Sequence, residues 1–520
     1  MATYVYIDVS QKQEFIFKHN ELKENLYHSF VIKAVTEDIQ DKTGKVAYPS
    51  IISLTKFLEH HYATLPEFVY SGGGNSILKF SAKEDAKKFV KKYSGEVYRA
   101  YPDLELYMSI VDESELQGQG ESQEQKEKEI REKLRERANA WKDKRTMKFK
   151  RWSYGVEEID ETGLPILYCG VLKRDYKLAK KFLYGRLEDK TEVPVTEELK
   201  EYKKDEEGKS YIGVIAIDGN KMGDMVRRIS AFEELGKFSE LIEEVYETAV
   251  VHALNELKLV DKDLKYTPIV MSGDDICLIV HAEHAIRLAA SIVNHIRSLS
   301  RSGHYSSRLR HILDDGQAEL SACAGVAIAK YNYPFFEAVK TAELLCKQAK
   351  EAIYRTKDGT SGASFIHWDI VQGQVLASYV YEDYVKHGRD IERFHMKPLR
   401  IDQQQPVVDG VFGYEAFVSA ATDIQHALTN EKISSSLLEG IKKVLYSGRE
   451  SYRLFIDMNR TEACSNLMEI MKKHFPCDDF AVMSEQQGQS LIYTYLLNDV
   501  IDALPYINMK REAAIHVDEP

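Results

Sequence analysis

Three aspartates carry the clearest chemistry in the chain. Asp218 closes a buried-type strand, YIGVIAID, just before Gly219 and Asn220. Asp274 and Asp275 stand in PIVMSGDDICLIV, where two short apolar runs flank Ser272 and Gly273 and predict a hairpin. If the strand and the hairpin lie side by side in one sheet, three carboxylates meet among Val270, Met271, Ile276 and Leu278, with little water to screen their repulsion. A divalent cation resolves that conflict. Hard oxygen ligands, a main-chain carbonyl at Gly219 and open positions for phosphate oxygens suit magnesium or manganese. Two such ions in the site could activate a 3′-hydroxyl and stabilise a leaving pyrophosphate in an in-line displacement.

Each piece alone has a plainer reading. An Asp-Asp turn is commonly just solvated, and DGNKMGD, which contains Asn220 and Lys221, can be a loop that enters a helix. In the functional reading Gly219 and Gly223 let the backbone approach a triphosphate, and N–H groups at the helix start bind it. Lys350, in AELLCKQAK, is an ordinary solvent-facing lysine unless the fold aims it at a phosphate. The sixteen histidines form no HExxH spacing, so His284, His295 and His311 read as structural or surface residues.

The elements that must position these residues occur twice. FVYSGGGNSILKF, at residues 68–80, echoes the SGDD segment but carries Ser71, Gly72, Gly73, Gly74 and Asn75 in place of the acids. Asp8 lies 63 residues before Ser71 and Asp218 lies 54 before Ser272, so two copies of a βαββαβ unit are expected. The expected organisation is α/β (α+β), with four regions. A first ferredoxin-like palm, without acids in its turn, takes 1–111, and a charged helical connector with a small linker region takes 112–210. A second, catalytic palm takes 211–370, and a mostly helical domain 371–520. The connector, QEQKEKEIREKLRERANAWKDKR, has one thin apolar stripe (Ile130, Leu134, Ala138, Trp141) and interleaved acids and bases, which reads as a solvated connecting helix rather than an RNA-binding arm. Residues 151–210 read as short strand-like pieces and charged loops. In the last region YEAFVSAATDIQHAL, SSLLEGIKKVLY, ACSNLMEIMKKHF and QSLIYTYLLNDVIDAL are the expected helices.

Composition bounds the alternatives. A chain of 520 residues, 44% of them hydrophobic, can bury two or three cores. No apolar run reaches the roughly 18–20 residues that would span a bilayer, so a cytoplasmic protein without a membrane partner is expected. Six scattered cysteines without a CxxC pair argue against a zinc ribbon or a disulfide framework. A net charge of −12 disfavours an extensive nucleic-acid surface but not a small anion held through a metal.

The ordered blocks GVIAIDGNKMGDM, MSGDDICLIV and SACAGVAIAKYNYPFFEAVKTAELLCKQAK resemble the second palm domain of the large polymerase/cyclase subunit of type III CRISPR complexes, a relative of GGDEF and class III cyclases. IDVSQKQEFIFKHNELKENL with YSGGGNSILKF is similar to that family's first palm. The resemblance implies a synthase that joins nucleoside triphosphates, ATP among them, into cyclic oligonucleotide messengers of antiviral defence. It assigns the metals to Asp218, Asp274 and Asp275. Ser272, Gly273 and Lys350 would border one nucleotide, and Gly72, Gly73, Gly74 and Asn75 the other, so that two triphosphates meet between the palms. Partners implied are a regulatory RNA or protein and a downstream effector of the product. Ser272 stands where the family commonly has glycine, and Asn220 where many members have aspartate. The family's N-terminal HD nuclease and inter-palm cysteines are expected to be absent, which favours a shortened, stand-alone synthase. The alternatives are a scaffold subunit of an RNA-guided complex and a cyclase of another product class.

Overall fold

A computed structural model of the chain describes residues 2–39, 52–116, 122–144, 174, 176–204, 210–301, 303–354, 362–371 and 384–507. The first palm runs β1 (Thr3–Ser10), α1 (Lys12–Ile16), α2 (Leu22–Thr36), α3 (Leu54–His61), β2 (Glu67–Gly72), β3 (Asn75–Phe80), α4 (Lys83–Ala100) and β4 (Glu105–Asp112). Its antiparallel sheet has the order β2-β3-β1-β4, the ferredoxin-like arrangement expected of βαββαβ. Strand β1 is buried along nearly its whole length because it lies at the centre of the sheet.

Next come α5 (Gln123–Asp143) and α6 (Tyr176–Thr191). Helix α5 opens on a capping box, with Ser122 and Gln125 each satisfying the other's backbone N–H. It is a packed element rather than a solvated spacer: Ile130, Leu134 and Ala138 are buried against β1 and β4, and only Trp141 of the anticipated stripe is exposed. The stretch expected to be strand-like and looped contains helix α6; the strand-like pieces before it lie outside the described residues.

The second palm comprises β5 (Tyr211–Gly219), α7 (Met222–Arg228), α8 (Phe232–Val260), β6 (Tyr266–Ser272), β7 (Asp275–His281), α9 (Ala282–Arg301), α10 (Gly303–Leu313), β8 (Ala322–Lys330), α11 (Phe335–Ile353) and β9 (Phe365–Ile370). Its core order, β6-β7-β5-β8, repeats that of the first palm, and β9 adds a parallel strand beside β8. Helix α11 lies directly on β8 at Gly325, where a Cβ would collide with the Ala342 carbonyl and the Cys346 backbone. The two palms face each other reciprocally, α2 against β6 and α8 against β2.

The remaining elements are β10 (Tyr384–His387), β11 (Asp390–Arg393), β12 (Leu399–Arg400), β13 (Val407–Val408), β14 (Val411–Phe412), α12 (Tyr414–Thr429), α13 (Ser435–Leu445), α14 (Arg449–Met458), α15 (Glu462–His474), β15 (Val482–Gln487), β16 (Ser490–Tyr495) and α16 (Leu497–Ala503). The domain is mostly helical, but QSLIYTYLLNDVIDAL is not one helix. Its first half is strand β16, in a sheet of order β10-β11-β16-β15, and only its second half is helical. Helix α14 was not anticipated. Among the described residues no helix is long and apolar enough to cross a membrane.

Candidate active site between the two palms

Register brings the acids together. Strands β5 and β7 pair up to Ile217 opposite Ile276, so the next residues, Asp218 and Asp275, emerge at the same edge of the sheet. Ser272 pairs with Asp275 across a two-residue turn in which Gly273 has φ +63°. Carboxylate oxygens of Asp218, Asp274 and Asp275 lie within 4.8 Å of one another. Burial, then the charge of Asp218, pushes the Asp274 carboxyl up to about 6. Burial, then Asp274 and Asp218, pushes Asp275 up to about 7, although its side chain opens to solvent on one side. Together these shifts describe an excess of negative charge in a partly dry cleft.

Around this centre the backbone is tightly confined. A Cβ on Gly219 would come within 2.6 Å of the Tyr246 hydroxyl, 2.7 Å of Met222 Cγ and 2.9 Å of Asp274 Cβ. The buried Tyr246 hydroxyl has no hydrogen-bond partner among the described residues, and burial and then the three aspartates hold its proton on. Lys350 Nζ sits 2.6 Å from Asp218 Oδ2 and donates to the Gly219 carbonyl at 2.7 Å. The fold therefore turns Lys350 inward. It also occupies one lone pair of the carbonyl expected to help hold a metal.

Two cavities flank the acids. The larger, about 350 Å³, is lined by Lys12, Gly73 and Gly74 of the first palm, by Asp218, Ser272 and Asp275 of the second, and by Lys350 with Glu343 on α11. The smaller, about 190 Å³, has Asn75 and Tyr70 on one wall, Ser272, Gly273, Asp274 and Asp275 on the other, and Arg131 and Arg135 from α5. Gly73, Ser272 and Asp275 border both. The anticipated residues are thus largely gathered into one place between the palms.

Several are placed elsewhere. Asn220 is buried and spent on structure, its amide donating to Ser321 Oγ and the Ala363 carbonyl at 3.0 Å each. Ser71 accepts from the Asp38 N–H at 2.9 Å and from the Ser76 hydroxyl at 3.1 Å. Ser71, Gly72, Lys221 and Gly223 line neither cavity, and a Cβ on Gly72 would press on Ser239 Oγ at 2.5 Å. For Ser71 the reason is register: Gly72 pairs with Asn75 as Ser272 pairs with Asp275, so Ser71 corresponds to Met271 and the sequence echo that aligns Ser71 with Ser272 is one residue off. Gly74 and Asn75 are then the true counterparts of Asp274 and Asp275. The first palm is also not free of acids, since Asp8 stands at the end of β1 opposite Asn75, with Lys142 Nζ at 2.5 Å.

Among the lining residues that sequence reasoning does not single out, four are polar side chains close to the acids or the glycine turn. Lys12 donates to the Gly73 carbonyl at 2.8 Å, and Glu37 accepts from the Gly74 N–H at 2.6 Å. Glu343 is pushed up to about 7 by burial and by Asp275. Tyr6, on the central strand, lines the smaller cavity. Glu37 and Tyr6 lie in no motif, whereas Lys12 and Glu343 stand inside segments that carry the family resemblance; a seven-residue offset from Lys350 on one helix is the available signal for Glu343.

A ferredoxin-like palm with three converging acids at the edge of its sheet, facing a second palm, is the class of site defined here. Residues 211–359 match the family model of the Cas10/Cmr2 second palm domain. The whole fold is similar to chains in solved Csm1-Csm4 cassettes: with AMPPNP (13% identity, 98% of this chain, 70% of that chain, TM-score 0.54), with one ATP (12%, 98%, 70%, 0.53) and with cA4 (13%, 98%, 70%, 0.51). At such identity the likeness is one of fold. An apo Csm1-Csm4 cassette is matched over 72% of this chain, which spans 55% of that chain's length. No curated protein matches.

Proposed function

We propose that the protein is a metal-dependent nucleotidyltransferase that joins nucleoside triphosphates, ATP first among them, into cyclic oligonucleotide messengers of antiviral defence. The observation that carries the reading is the crowding of Asp218, Asp274 and Asp275 within 4.8 Å, with two of them reluctant to ionise, at a junction between two cavities. The donor set fits hard divalent cations: carboxylate oxygens only, with no sulfur or imidazole, in an arrangement that unpaired anions would destabilise. Asp218, Asp274 and Asp275 would hold magnesium or manganese, two ions when substrate is present. When bound, these ions supply charge neutralisation for an in-line phosphoryl displacement.

The chain's own residues do the rest. Gly219 lets the strand end approach without a side chain in the way, and Lys350 fixes the Asp218 carboxylate. Gly73 and Gly74 present bare backbone from the first palm to the larger cavity, where a second nucleotide would lie, with Asn75 beside them on the wall of the smaller one. Placing both reactants between rigid sheets supplies the orientation that intermolecular reaction lacks. The fold's likeness to Csm1 chains in complex with ATP and cA4 supports nucleotide substrates, and their pairing with Csm4 supports a partner protein for this chain too.

Incubation of the purified chain with each labelled triphosphate and magnesium or manganese, followed by mass spectrometry of the products, tests the proposal. Cyclic or linear oligonucleotides that vanish in an Asp274→Ala, Asp275→Ala double variant are expected. No product from any triphosphate would overturn it.

A further inference from the structure

Helix α5 carries two arginines that the description of the site leaves without a task. Arg131 is 4% exposed; its Nη2 donates to the Ile229 carbonyl at 2.5 Å, while its buried Nη1 has no partner among the described residues. Arg135, one turn further on, reaches the mouth of the same cavity, and neither guanidinium has a carboxylate within ion-pair distance among the described residues. Two like charges four residues apart repel, and a buried guanidinium without a counter-charge is costly. The wall opposite them holds Asp274 and Asp275.

Fold symmetry makes the pair more telling. Helix α5 follows β4 and packs on the first sheet as α11 follows β8 and packs on the second. Lys142 of α5 takes Asp8 as Lys350 of α11 takes Asp218. Seven residues before each lysine stand Arg135 and Glu343, so corresponding positions of the two cavities carry opposite charges. The smaller cavity, about 190 Å³, is below the roughly 300 Å³ at which small-molecule pockets begin, and suits one charged part of a nucleotide rather than all of it.

We propose that Arg131 and Arg135 form a polyphosphate subsite facing the aspartates, which takes the triphosphate chain of a substrate or the pyrophosphate that leaves it. This rests on the nucleotidyltransferase reading of the site. The planar fork of arginine matches phosphate oxygens bidentately, and the metal-bearing wall opposite lets one polyphosphate be held from both sides.

Calorimetric titration of the full chain with magnesium tripolyphosphate, magnesium pyrophosphate and adenosine provides the test. Arg135→Gln, whose parent side chain makes no hydrogen bond among the described residues, should weaken one or both anions about 10- to 100-fold and leave adenosine within about twofold. Tighter binding of tripolyphosphate identifies a substrate subsite, and tighter binding of pyrophosphate a product subsite. Arg131→Lys should show a smaller loss of the same kind with an unchanged melting temperature. Unchanged anion affinity in Arg135→Gln, an equal loss of adenosine, or a wild-type chain that binds neither anion overturns the subsite. Synthesis that fails in a wild-type chain with anion binding intact and sensitive to Arg135 would instead count against the proposed reaction alone.

Discussion

The two palms share a sheet order and differ in what they place at one corner of it. At the end of the central strand both have an aspartate, Asp8 and Asp218, and both aspartates are met by a lysine from the helix that follows the fourth strand, Lys142 and Lys350. The hairpins then diverge. Gly73 and Gly74 have φ of +63° and +74°, the both-positive pattern of a type I′ turn, whereas in the second palm only Gly273 is left-handed and Asp274 is not. A turn that needs one left-handed residue has room for an L-amino acid at its second position; a turn that needs two favours glycine there. Backbone geometry and chemistry therefore change together: the first palm offers bare main chain, with Glu37 taking the Gly74 N–H, and the second offers carboxylates. In the proposed reading, the copy with carboxylates holds the cation and the copy with bare main chain approaches a nucleotide closely.

That contrast breaks most severely at the acids. Asp275→Asn should lower synthesis by several kcal/mol of transition-state stabilisation, about 10³-fold, in an initial-rate assay with saturating metal. Retention of even a tenth of the rate would remove Asp275 from the site. Gly219→Ala comes next, because the added methyl meets the Tyr246 hydroxyl, Met222 and Asp274 at 2.6 to 2.9 Å. It should cost about 1–3 kcal/mol in stability and weaken metal affinity as well. Calorimetry and thermal unfolding on the same sample check both.

A smaller effect is expected at the glycine turn. Gly74→Ala forces a left-handed alanine, about 1–2 kcal/mol, and crowds Lys12 Nζ at 2.8 Å. Synthesis should fall while manganese binding at the aspartates persists, and loss of both together would deny the division between palms.

The pH response sharpens the same point. Asp274 and Asp275 have carboxyls raised to about 6 and about 7, so between the ordinary carboxylate range near 4 and those values the folded chain holds protons that the unfolded chain releases. Their contribution to stability is therefore fully present at low pH and lost as pH rises through about 6 to 7 without metal. Metal must displace those protons, so magnesium affinity should climb from pH 6 to pH 8. A flat affinity profile would contradict the crowding of the acids. The smallest effect belongs to the first palm's own acid: Asp8→Asn removes the charge that Lys142 and, at longer range, Lys12 pair with and should cost about 1 kcal/mol in a melting curve with little change in metal affinity.

Much of this could be read from the residues. The apolar run to Asp218 and the SGDD hairpin determine a strand end and a tip that any ferredoxin-like sheet brings together, and both appear as such. What escaped the sequence depends on contacts distant along the chain. SLIYTY satisfies both strand and helix patterns over so short a run, and its place in a sheet between the neighbouring β15 and β11, the latter roughly a hundred residues earlier, decides for strand. The connector's apolar stripe is legible, but its burial is not, because only three apolar residues in a charged 21-residue helix meet the sheet and the sheet they meet lies elsewhere in the chain. Ser-Gly in one hairpin matches Ser-Gly in the other by sequence, but the pairing of Gly72 with Asn75 sets a register one residue away from that match.

Whether one palm holds the cation and the other does not is decided by counting bound manganese by electron paramagnetic resonance in the presence of a non-hydrolysable triphosphate. Binding should be lost in the Asp274→Ala, Asp275→Ala double variant and retained at wild-type stoichiometry in Asp8→Ala. Manganese that survives the first change, or disappears with the second, would contradict it.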